Sequence, residues 1–197
     1  MARRIVFSII AVGLLAAAAP TLGLAFNRPA QSIARETSHT PVLSQKSVND
    51  IGIPIRLRIP AINVNSAVEP VGITPGGVMD IKENQDNTAW YKYGPRPGEN
   101  GNAVIAGHYG WDHQKPSVFT QLSKLQEGDK LYVDSDKRTT IAFVIRKSKR
   151  YNPDADTTAI FKSNDGNSHL NLITCDGSWD EAKKSYTNRL VVFADRT

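Results

Sequence analysis

From Ile53 onward the chain alternates apolar and polar residues in short runs separated by turn-forming clusters. Ile55-Arg56-Leu57-Arg58-Ile59 puts an apolar side chain at every second position. That is the period of a strand with one buried face. Further short extended segments are predicted at 66–71, 78–81, 103–106, 130–134, 140–144, 170–174 and 189–193. Thr74-Pro75-Gly76-Gly77, Gly94-Pro95-Arg96-Pro97-Gly98 and Glu127-Gly128-Asp129 punctuate them at hairpin-like spacing. Helical spacing is confined to residues 118–125, with Val118, Leu122 and Leu125 on one face, and to a turn at 158–162. Many short strands and little helix predict a mainly β domain, a closed or nearly closed barrel with one or two short helices.

Upstream the pattern changes. Arg3 and Arg4 precede residues 5–26, a stretch without a charged residue and long enough to cross a bilayer. A cleaved signal peptide is the rival, because the alanines at 16–19 resemble a small-residue cleavage region. The arginine pair keeps the N-terminus cytoplasmic in either case, with the rest exported. An uncleaved anchor at 1–26 is the preferred reading, giving a single-pass protein of the cell membrane with an extracellular domain. Residues 27–52, rich in Ser, Thr, Gln and Pro, read as a flexible stalk. Such a coil spans about 25–30 Å on average. The folded domain is then 53–197.

Charge narrows the function classes. The net +5 falls to +3 once Arg3 and Arg4 are set aside, 22 basic against 19 acidic residues. No Lys/Arg cluster interleaved with aromatics occurs, which argues against nucleic-acid binding. No acidic cluster reads as a calcium site, so no metal and no cofactor is expected.

One cysteine, Cys175, closes the apolar run Leu170-Asn171-Leu172-Ile173-Thr174. A lone thiol makes no internal disulfide and builds no thiolate metal site unaided. It is either an inert core residue or a nucleophile. Period-2 alternation puts Asn171, Ile173 and Cys175 on one strand face and Leu172 and Thr174 on the other. A thiol nucleophile needs a partner that raises its thiolate fraction or supplies protons. Of four histidines, His39 falls in the stalk, His113 in a polar loop, and His169 about 20 Å along an extended chain from Cys175. His108 ends the apolar run 103–107, so two reactive residue types end two strands and can face each other across a barrel mouth. Arg189 opens the run 190–193 and could return beside the cysteine strand as an oxyanion donor. Taken alone, it reads as an ordinary snorkelling surface arginine.

Gly101-Asn102-Ala103-Val104-Ile105-Ala106-Gly107-His108, the stretch from Val118-Phe119 into Glu127-Gly128-Asp129, Leu172-Ile173-Thr174-Cys175, and Asn188-Arg189-Leu190-Val191-Val192 together resemble the sortase family. These are membrane-anchored cysteine transpeptidases of bacterial cell envelopes. The resemblance runs in order from about Ile55 to Ala194 and implies a closed eight-stranded sortase-type barrel. It implies that Cys175 attacks the Thr–Gly carbonyl of an LPxTG-like sorting signal, that His108 protonates the departing amine, and that Arg189 steadies the oxyanion. Thr174 would neighbour the substrate. The acyl group would pass to an amine, a peptidoglycan precursor or a pilin lysine. Asn171 departs from the family pattern, which has Thr there. The compact domain is most similar to class F, with E or D as alternatives. Two other readings stand beside it: an L,D-transpeptidase, which Thr174 and Asp176 do not fit, and a tethered β-barrel that binds a surface polymer or protein without chemistry.

Overall fold

The computed structural model describes residues 51–112 and 114–197. The predicted anchor, most of the stalk, His39 and His113 lie outside the described residues. The strands are β1 (Pro54–Ile59), β2 (Val64–Val71), β3 (Thr88–Tyr91), β4 (Gly101–Gly107), β5 (Trp111–Asp112), β6 (Lys115–Pro116), β7 (Lys130–Ser135), β8 (Thr140–Tyr151), β9 (Ser168–Asp180) and β10 (Ser185–Arg196). Helix α1 is Thr158–Phe161, and 3-10 turns occupy Pro60–Ile62 and Leu122–Lys124.

Eight strands close a barrel in the order β1-β2-β3-β4-β9-β10-β8-β7, with β7 returning to β1, while β5 and β6 form a small separate ribbon. The expected mainly β, closed eight-stranded architecture is present. Two neighbouring pairs, β2–β3 and β4–β9, are parallel. Parallel neighbours cannot be joined by a tight turn. The chain therefore makes two crossovers, 72–87 and 108–167, and both pass near the candidate site.

Strand alternation fills the interior. Leu57 and Ile59 of β1, Ala103 and Ile105 of β4, Leu131 and Val133 of β7, and Leu170 and Leu172 of β9 join one buried cluster. Ile51, two residues ahead of the predicted domain start, packs into it too. Arg58 closes the β1–β7 seam through a two-pronged bond to Asp134, 2.9 and 2.8 Å. Hydrogen bonding to that guanidinium holds the Asp134 carboxyl below its ordinary pKa.

Two expected elements differ. Residues 78–81 are not a strand. Ile73 and Met79 form one isolated bridge, and Val78 stays exposed. The expected helix at 118–125 is a series of turns around the 3-10 segment Leu122–Lys124. Phe119, Leu122 and Leu125 are buried at intervals of three, the repeat of a 3-10 turn. The expected helical turn at 158–162 is present as α1. Among the described residues no helix is long and apolar enough to cross a membrane.

Candidate active site

Along β9, Leu170 and Leu172 enter the barrel core, which sends Ile173 and Cys175 to the outer face. There they line a groove of about 490 Å³ together with Ala106, Ile160, Arg189 and Val191. The site is thus on the barrel wall rather than at its mouth. β9 continues past Cys175 to Asp180, and β10 starts at Ser185, so the two strands extend beyond the cysteine as a polar hairpin. Cys175 is mid-strand, not strand-terminal as the sequence pattern predicts.

Arg189 is the direct antiparallel partner of Cys175. Directly opposed residues project from the same face, with Cβ atoms about 4.5–5.5 Å apart. The guanidinium is fixed by three acceptors. Nη1 donates to the carbonyls of Tyr186 (3.1 Å) and Asn188 (3.0 Å), and Nη2 donates to Ser185 Oγ (3.2 Å). Burial pushes the half-buried Cys175 thiol above its ordinary pKa, and the Arg189 charge works against that shift. Desolvation wins, so the resting cysteine is a neutral thiol at neutral pH.

β4 runs parallel to β9 with Ala106 opposite Ile173. Two residues further along that register, His108 comes level with Cys175. His108 Nε2 lies 2.7 Å from the Lys82 carbonyl oxygen. A carbonyl only accepts, so Nε2 is the donor in this bond and carries a proton. Thr174, expected beside the substrate, is among the residues lining this groove, and its hydroxyl is used within the fold. Oγ1 donates to the Gly107 carbonyl at 2.7 Å, a buried bond that ties β9 to the residue preceding His108. His169 is engaged on both ring nitrogens, Nδ1 with Asp195 (2.7 Å) and Nε2 with Asp165 (2.9 Å), at the other end of β9.

Gly107 sets the height of His108. A Cβ there would lie 2.5 Å from Cδ2 of Phe119, a fully buried ring. Gly107→Ala is therefore expected to destabilise the domain by about 1–3 kcal/mol, as overpacking does. It should also push His108 away from Cys175. A thermal melt paired with peptide turnover checks this, and unchanged values of both would contradict it.

The groove's far wall is α1, and two asparagines hold it. Asn102 Nδ2 donates to the carbonyls of Ala159 (2.9 Å) and Ile160 (3.3 Å), and Asn171 Nδ2 donates to Ile160 (2.6 Å). Asn171 is 1% exposed. A buried amide in an apolar strand needs partners, and that need was the available signal. The sequence reading treats Asn171 only as a departure from a family pattern and does not single out Asn102. Asn171→Ala leaves Ile160 O with the long Asn102 bond. The expected cost is about 1–3 kcal/mol. Because α1 lines the groove, KM should rise more than kcat falls. Steady-state kinetics decide, and a pure kcat loss would count against α1 as a substrate wall.

The sortase domain model matches residues 57–197. The chain belongs to the sortase family and is a cysteine transpeptidase. Solved structures agree. Sortase C-1 from Actinomyces oris superposes with a TM-score of 0.58 at 23% identity, covering 72% of each chain. Sortase C1 from Streptococcus agalactiae gives 0.58 at 25%, covering 72% of this chain and 66% of that one. Sortase A from Corynebacterium diphtheriae gives 0.57 at 20%, covering 74% and 60%. None of these three names is class F, E or D. No curated protein matches the sequence.

Proposed function

We propose that this chain is a membrane-anchored sortase, of the compact class F type or else class E or D, with its domain outside the cell. Its substrate is an LPxTG-like sorting signal, cleaved between Thr and Gly. The Cys175 sulfur attacks the Thr carbonyl carbon, and the Arg189 guanidinium stabilises the oxygen charge that develops. The C–N bond then breaks as His108 gives a proton to the departing glycine amine, leaving a thioester on Cys175. An amine of a peptidoglycan precursor or a pilin lysine attacks that thioester, forms an amide, and returns the sulfur to its thiol. A proton moves between Cys175 and His108 during attack rather than resting on the histidine beforehand. The raised pKa of the thiol supports this order.

One observation carries the reading: the β9–β10 register sets the chain's only cysteine against an anchored arginine. To test it, the full chain in detergent is incubated with an LPxTG peptide, with and without an added amine. Mass spectrometry should find a fragment beginning with Gly, an acyl adduct on Cys175, and an amide product when the amine is present. Intact peptide across several motif variants would favour the non-catalytic binding barrel.

A further inference from the structure

A second cavity, about 580 Å³, lies apart from Cys175. It shares Gly77, Met79, Thr157 and Phe161 with the cysteine groove, so the two are neighbours with these residues between them. β4 runs beneath both. Gly101 and Asn102 line the outer cavity, whereas Ala106 and Gly107 line the cysteine groove. At about 3.3 Å per residue, the path from Gly101 to Gly107 is roughly 20 Å, the length of six extended residues.

The position of His108 gives this path a direction. It follows Gly107, at the end of β4 away from Gly101. With His108 protonating the leaving amine, the amine side of the scissile bond lies at that end. The acyl side then runs back along β4 toward Gly101. Four acyl-side residues occupy roughly 13 Å, which leaves about two residues' length for the outer cavity.

The outer cavity is mixed: Ile73, Met79, Tyr91, Tyr93 and Phe161 form an apolar, aromatic side, and Asn100, Thr158, Ser163 and Asn164 a polar one. Tyr91 packs edge-on against both Tyr93 (5.9 Å between centroids, 84°) and Phe161 (5.5 Å, 81°). Tyr93 is nonetheless 66% exposed and Ile73 50%. Among the described residues, Lys162 is the one charged residue lining it. Large apolar side chains gathered in water around a cavity are the mark of a surface that is covered in use.

We propose that this outer cavity binds the two substrate residues immediately N-terminal to the cleaved motif and prefers apolar or aromatic side chains there. The assignment rests on the transpeptidase reading above, because it uses the direction set by His108. Three peptides test it on the full chain: the acetylated motif alone, the motif preceded by two apolar residues, and the motif preceded by two aspartates. The apolar extension should raise kcat/KM about tenfold over the short peptide, the scale of partly burying one large side chain. Tyr93→Ala and Ile73→Ser should erase most of that gain and leave the short peptide unchanged. Equal kcat/KM for all three peptides, or equal losses on short and extended peptides in the variants, would overturn the assignment while turnover of the short peptide left the sortase reading intact. No turnover of any peptide would remove both.

Discussion

Cys175→Ala is expected to abolish peptide turnover, with kcat falling by about 10⁴-fold or more, the usual effect of removing a covalent nucleophile. The fold should be little changed. The substitution deletes one sulfur from an outward-facing, half-buried position and removes no hydrogen bond that the barrel uses. The variant should still bind the peptide, which fluorescence anisotropy with a labelled substrate can show. Cys175→Ser should be nearly as inactive, because a hydroxyl beside this arginine is far harder to ionise than a thiol. Turnover retained in either variant would sink the assignment of Cys175. As the chain has one cysteine, its ionisation can be followed without interference. Burial raises the thiol pKa, so the thiolate fraction at pH 7 lies below that of a free cysteine. Iodoacetamide should react slowly there, and the rate should keep climbing with pH past the ordinary cysteine value of about 8.5. A plateau below that pH would show a thiolate held at rest, contrary to the neutral thiol argued here.

Arg189→Ala is the second large effect, a fall in kcat of about 10²–10³-fold, comparable to losing an oxyanion donor. The same change has a signature that mere misfolding would not produce. The Arg189 charge opposes the upward shift of the Cys175 pKa. Removing it should push the thiol higher still, so alkylation slows at every pH below the new midpoint. Arg189→Lys separates the two roles. A lysine restores charge, and with it part of the alkylation rate. It cannot reproduce a planar fork braced by Tyr186, Asn188 and Ser185, so turnover should stay low. Faster alkylation in Arg189→Ala would mean that the guanidinium does not act on the sulfur.

Much of the barrel was legible because its strands bury one face. β7, the first half of β8 and residues 57–59 of β1 carry the alternation that places their apolar residues inside, while β4 and the central parts of β9 and β10 read instead as apolar runs with consecutive buried residues. β3 was invisible for the opposite reason: Thr88, Ala89 and Trp90 are all buried, so no period appears in four residues. Val78 and Ile81 misled in the other direction, since their apolar side chains edge a groove instead of filling a core. The polar halves of β8, β9 and β10 lack an apolar face altogether. That is why Cys175 and Arg189 read as strand ends when they sit mid-ladder. The pairing of Cys175 with Arg189 depends on hairpin register, which no local pattern reports. The asparagine brackets under α1 depend on contacts between residues 58 positions apart for Asn102 and 11 apart for Asn171.

The two parallel seams also bear on when the site comes into being during folding. The Thr174–Gly107 bond joins residues 67 positions apart, across the longer crossover. Closing so long a loop is opposed by chain entropy, and β4 meets β9 only after that loop closes. The β9–β10 hairpin, by contrast, is local and can pair early. Cys175 and Arg189 therefore come together first, and His108 joins them only as the cylinder shuts. A chain in which the β4–β9 seam has not formed therefore lacks the full set of Cys175, Arg189 and His108 in one place, so completion of the site is coupled to closure of the barrel.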